Sequence, residues 1–249
     1  MTVRIWFVIG ATALAVAAAV LSPALPQPLD YHLFADRRAA FGIPNFLNVA
    51  SNAAFLVVGI GGLVATLGRR ARFEFGAETW PYVCFFSGVL LTAAGSAYYH
   101  LAPDNGTLFW DRLPMTIAFM ALICSQIGER IDLRAGLLLL VPALLIGAAS
   151  VMYWRATERD GAGNVMPYAV LQGYAIALML LVARIPSRYT RAKLLYWVFA
   201  WYVLSKLLEA LDYPIFDLGH AVRGHTLKHL AAAAAGAVVW RMLTHRTVA

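Results

Sequence analysis

Long apolar runs are what most constrain this chain. They lie at approximately 4–22, 46–67, 80–100, 113–130, 135–154, 166–185, 194–211 and 224–243. Crossing about 30 Å of hydrocarbon takes about 20 helical residues. With no water to satisfy a bare backbone at that depth, a single segment can cross only as a helix. The polar stretches "SPALPQP", "RRARFEFGAETWP", "LAPDNG", "ATERDGAGN", "RIPSRYTRAK" and "DYPIFDLGH" fall between the runs, as turn chemistry requires. The fold expected is all-α, a polytopic membrane helix bundle, in a chain that is 61% hydrophobic and only 13% charged.

The formal charge of +7 could point to nucleic acid, but its distribution reads as membrane topology. If all eight runs cross, twelve basic residues fall on one side: Arg4, Arg69, Arg70, Arg72, Arg130, Arg134, Arg184, Arg188, Arg191, Lys193, Arg241 and Arg246. The other side holds six, namely Arg37, Arg38, Arg112, Arg155, Arg159 and Arg223, while Lys206 and Lys228 lie within runs. Both termini are therefore expected in the cytoplasm, in the plasma membrane of a bacterium. Cys84 and Cys124 both fall inside apolar runs and read as buried thiols. The first run, residues 1–22, is readable as an extra uncleaved span or as a secretory signal peptide. Residues 23–249 form the remaining domain.

Four histidine and hydroxyl positions stand out against this apolar background. Ser96 and His100 are one helical turn apart at the outer end of the third run, in "GSAYYH". His225 and His229 repeat the spacing at the outer start of the last run, in "GHTLKH". Two histidines at i, i+4 can turn both imidazoles to one ion. His100 ends an outward-running helix and His225 begins an inward-running one, so all three reach the same depth. Three nitrogens with a fourth position open is the composition of a catalytic rather than a structural zinc site. Asp111 is expected in the outer loop before the fourth run.

These elements, "GSAYYH", "DRLPM" and "GHTLKHLAAA", with "NVASN" at the start of the second run, resemble the alkaline ceramidases of the CREST superfamily, which also holds adiponectin-receptor-like proteins. The resemblance runs from about Asn45 to Leu243. It implies seven spans around an intramembrane zinc, with the first run as an addition. It also implies zinc ligation by His100, His225 and His229, and catalytic roles for Ser96 and Asp111. The implied activity is that of a zinc-dependent amidase, a hydrolase cleaving the N-acyl amide of a ceramide-like membrane lipid to a sphingoid base and a fatty acid. Zinc supplies an activated water in such a site, Ser96 a hydrogen bond to the developing oxyanion, and Asp111 proton transfer.

One departure concerns calcium, which family members bind near the start of their first helix. Here Asn45 stands where they carry a glutamate; Asp30, Asp36, Asn45 and Asn48 offer some oxygens, while Arg37 and Arg38 argue against Ca2+. Asn48, Ser51 and Asn52 read as bonds between helices. Lys206, Glu209 and Asp212 share a helix face, as an ion-pair ladder or as part of a cavity wall. Trp197, Trp201 and Tyr202 read as packing or interfacial residues. Two other functions fit parts of the pattern: a receptor-like or regulatory zinc protein of the same superfamily, using the same ligands without efficient turnover, and a haem-binding electron carrier.

Overall fold

Leu138, Leu145 and Val57 are 68%, 64% and 63% exposed, whereas Asn48, Thr116 and Gln126 are fully buried. Apolar groups face outward and polar groups inward, the distribution a lipid solvent favours. The computed structural model describes residues 3–159 and 163–249. Residues 1, 2 and 160–162, from the N-terminal segment and the loop after the fifth run, lie outside the described residues, as do the side chains of Arg4 and Arg159.

The elements are α1 (Val3–Leu21), α2 (Phe46–Ser51), α3 (Ala53–Leu67), α4 (Thr79–Leu101), α5 (Asn105–Arg130), α6 (Leu133–Arg159), α7 (Met166–Ala183), α8 (Leu195–Ala210), α9 (Asp212–Asp217) and α10 (Gly224–His245). The fold is an all-α bundle, and each of the eight apolar runs coincides with a helix, the second being shared by α2 and α3. Among the described residues, five helical segments are long and apolar enough to cross a membrane: Phe46–Leu67, Gly76–Leu101, Asn105–Arg130, Leu133–Glu158 and Met166–Ala183. The chain is thus built as a polytopic membrane protein. The last two runs are interrupted by charged and polar groups. The sixteen residues of α8 include Lys206 and Glu209, and the first turns of α10 carry His225, Lys228 and His229.

Helices α3, α4, α5 and α10 pack side by side, α10 continues onto α8, and α6 lies against α5. α7 packs on α5 and α6 but meets α8 only sparsely, and α1 packs on the outside of α7. Thr12 Oγ1 and Tyr174 Oη, 2.8 Å apart, join that outer pair. At the end where α4 begins, Tyr82 donates to Glu129 at 2.6 Å, Arg246 pairs with the same carboxylate, and Arg130 donates to the carbonyls of Ala183, Ile185 and Ala192. This network ties α4, α5, the α7–α8 loop and the C-terminus together. His100 lies eighteen residues from Tyr82 on α4, about 27 Å along the axis.

Two expectations about the fourth run are corrected. α5 begins at Asn105, eight residues before the expected start, so Asp111 and Arg112 are helical and buried rather than in a loop. Asp104 is the reason: its carboxylate accepts the Thr107 N–H at 2.6 Å, and Thr107 Oγ1 accepts the Asp104 N–H at 3.1 Å. That reciprocal cap starts the helix early. Arg112 also leaves the count of loop charges, as do buried Arg130, Arg223 and Arg246, and the excess on the Arg69–Arg72 side keeps its sign. Cys84 and Cys124 are free thiols.

Candidate metal centre

Gly224 lets α10 begin hard against the α8–α9 junction, since a Cβ there would lie 2.0 Å from the Leu208 carbonyl oxygen. Asp212 then accepts the His225 N–H through Oδ1 at 2.7 Å and the Ala35 N–H through Oδ2 at 3.0 Å. A carboxylate at a helix start satisfies an otherwise free N–H and suits the helix dipole. Asp212 is therefore not a rung of the expected ladder. The ion pairs of that face are Glu209 with Lys206 at 2.8 Å and Glu209 with Lys228 at 2.5 Å. His229 follows His225 by one turn, and His100 sits at the end of α4, its carbonyl accepting Asn45 Nδ2 at 3.0 Å.

The three imidazoles converge. One ring nitrogen from each of His100, His225 and His229 lies within 4.8 Å of the others, and all three residues are buried. Phe34 covers them, its ring centroid 4.9 Å from that of His100 and 4.6 Å from that of His225. The histidine rings are 4.9 to 5.2 Å apart, centroid to centroid, which leaves no slot for a haem macrocycle.

The hydrogen bonding suits a metal. The Ser51 hydroxyl donates to the Asn48 carbonyl at 3.0 Å, so its oxygen accepts from His229 Nδ1–H at 2.7 Å. That fixes the tautomer with the Nε2 lone pair free, as a second shell does for metal-bound histidine. His229 Nε2 faces His100 Nε2 at 3.3 Å. Two nitrogens on a tetrahedral zinc with bonds of about 2.0–2.1 Å stand about 3.3–3.4 Å apart. His225 Nε2 is buried with no hydrogen-bond partner, an orphan that a ligand role explains. The donor set and its spacing fit a divalent metal ion.

Ser96 and Asp111 come together through a helix crossing. Pro114 has no N–H to give the Trp110 carbonyl. Gly95 on α4 lies against that carbonyl so closely that a Cβ would sit 2.0 Å from its oxygen. The crossing sets Ser96 and Asp111 in the wall of one cavity of about 330 Å3, which His229 also lines. Beyond them the wall is largely apolar, with Phe55, Phe85, Val89, Leu122, Met179 and Val198. His100 and His225 lie outside that lining.

Sequence reasoning did not assign the supporting roles of Ser51, Phe34, Asp212 and Lys228. Ser51 and Asn48 do bond between helices as expected, to His229 and to Thr226 at 3.0 Å, while Asn52 bonds back to Asn48 within its own segment. Tyr202 packs on Phe119 and lines the cavity, and Trp197 is 60% exposed on the outer surface. Two of the four residues that offer oxygens for calcium are diverted, Asn48 Oδ1 to the Thr226 hydroxyl and Asp36 to an arginine. Asp36 gives both carboxylate oxygens to Arg38 at 2.9 Å. Burial works to raise the Asp36 pKa, but the bonds from Arg38 outweigh it and hold the carboxyl below the usual range. No protein-family model matches the chain, and no curated protein matches it significantly.

Proposed function

We propose that this chain is a zinc-dependent amidohydrolase that cleaves the N-acyl amide of a ceramide-like lipid, releasing a fatty acid and a sphingoid base. The observation that carries this reading is the cavity in which His229, at the edge of the buried histidine cluster, shares a wall with Ser96 and Asp111 before the lining turns apolar. An apolar cavity ending in a few convergent polar groups suits an acyl chain that must present an amide. Zinc, held by His100, His225 and His229, would supply Lewis-acid activation of water and carbonyl. Ser96 is assigned hydrogen bonding to the oxygen where negative charge develops. Asp111 is assigned the proton, taken as general base and returned to the departing amine as general acid. The reading includes orientation: the site faces the outer side of a bacterial plasma membrane, because the opposite end carries the basic excess.

Metal analysis of purified protein, combined with mass-spectrometric detection of fatty acid released from a panel of N-acyl lipids, tests it. About one zinc per chain and release from at least one lipid are expected. His225→Ala and His229→Ala should each lose both metal and release. Full zinc occupancy in these two variants would remove the proposed site. Metal without release from any lipid would leave the receptor-like reading in its place.

A further inference from the structure

The polar end of the cavity is lined by three cations, Arg112, Lys206 and Lys228, and two carboxylates, Asp111 and Glu209. Glu209 is shared between both lysines. Arg112, only 7% exposed, has no carboxylate within 4.0 Å among the described residues. Its Nη2 donates to Gln27 Oε1 at 2.5 Å, and its Nη1 is buried without a partner. Trp154, Tyr168 and Tyr31 surround the guanidinium at 4.6, 5.1 and 5.6 Å from their ring centroids. The Tyr31 hydroxyl then reaches across to Glu209 at 3.1 Å, joining the arginine wall to the lysine wall.

A guanidinium stays charged in proteins, so it cannot escape burial by releasing its proton. The aromatic faces offset part of the desolvation but offer no acceptor to Nη1. At membrane depth, such a charge marks a binding site for an opposite charge. We propose that the cavity takes an N-acyl lipid whose head group carries an anion, a carboxylate or a phosphate, held by Arg112 with Lys206 on the facing wall. This rests on the amidohydrolase reading and moves its substrate from a neutral ceramide-like head group to an anionic one. Among these five side chains one bound anion offsets the excess cation, which a head group bearing only hydroxyls does not. The planar fork of arginine also matches two oxygens on one carbon or phosphorus. Because Arg112 and Asp111 line the same cavity, one bound lipid presents the anion to the first and the amide to the second.

Two matched pairs of probes test this on the full-length protein in lipid nanodiscs. N-palmitoylglycine is compared with neutral N-palmitoylethanolamine, and phosphorylated N-palmitoylsphingosine with the unphosphorylated lipid. In at least one pair the anionic member should have kcat/KM higher by about tenfold or more, and the pair that responds identifies carboxylate or phosphate. Arg112→Gln should lower that ratio by about tenfold to a hundredfold, the weight of a charge-assisted hydrogen bond. Arg112→Lys should lower it less. Lys206→Gln, which leaves the aromatic box intact, should lower the same ratio if the buried arginine variants do not fold.

Neutral members turned over as well as anionic ones, or a ratio unmoved in folded Arg112→Gln, overturns the proposal and leaves the hydrolase reading standing. If no lipid is cleaved, native mass spectrometry of the Ser96→Ala protein separates the two claims. Selective retention of an anionic probe supports the anion site although the hydrolase reading has failed, and equal retention within both pairs overturns the site.

Discussion

On the proposed reading, holding a metal and using it fall to different residues, and single substitutions separate the two. Ser51 touches no reacting group, but its hydroxyl fixes the His229 tautomer from 2.7 Å. Ser51→Ala removes that acceptor, and zinc affinity should fall about tenfold to a hundredfold, the usual weight of a second-shell partner. A chelator-competition titration reads this directly, and unchanged affinity would show that the bond does not tune the site. Ser96 and Asp111 should behave in the opposite way. Ser96→Ala is expected to keep the metal and slow turnover about 10²–10³-fold, and Asp111→Asn to keep it and slow turnover about 10²–10⁴-fold. Loss of zinc from either variant would make it part of the metal shell instead.

Among the elements, the α4–α5 crossing bears most on the proposed chemistry, since it sets Ser96 and Asp111 in one cavity wall. Gly95→Val would drive its side chain into the Trp110 carbonyl, where even a Cβ lies only 2.0 Å away. Overpacking of this kind costs about 1–3 kcal/mol, so thermal unfolding in detergent should begin at lower temperature and lipid turnover should collapse. Gly173→Ala is the control: nothing lies within 4 Å of its Cβ, and removing a mid-helix glycine should stabilise by about 0.5–1 kcal/mol. Equal melting temperatures for the two variants would mean that the crossing relaxes freely. α1 is the opposite case, an element outside the site that packs on α7. Deleting residues 1–22 behind a separate signal sequence should retain zinc. The cut must stop there, because Leu25 accepts from the Val165 N–H at 2.8 Å and Gln27 holds Arg112.

What the sequence makes legible at this scale is whatever is local. Apolar run length gives the helices, and the i, i+4 spacing puts His225 beside His229. Alternating helix direction brings His100 to their depth. The start of α5 is not legible, because the fourth apolar run begins only at 113, whereas proline is tolerated inside a membrane helix when neighbours meet the freed carbonyl. Ser51 with His229, and Ala35 with Asp212, are contacts between residues more than 170 positions apart. No local period encodes such partners. Arg112 was counted as a loop charge for the same reason that α5 was started late.

For the whole molecule the open relation is between the bundle and its membrane. The two ends differ in charge: Arg69, Arg70 and Arg72 between α3 and α4, and Arg184, Arg188, Arg191 and Lys193 between α7 and α8, lie at the end away from the histidines. Basic residues in short loops stay in the cytoplasm, so the proposed reading turns the cavity's polar end, and any products released there, to the outside. Two exposed glycines allow this to be read without disturbing the fold. Gly219, between α9 and α10, and Gly76, just before α4, have nothing within 4 Å of a Cβ. In a protein whose Cys84 and Cys124 are replaced by alanine, a membrane-impermeant maleimide added to intact cells should label Gly219→Cys, while Gly76→Cys reacts only after lysis. Labelling of Gly76→Cys on intact cells, with Gly219→Cys protected, would invert the orientation. The fatty acid would then be released on the cytoplasmic side, and the excess of basic residues would not govern how this bundle sits in its membrane.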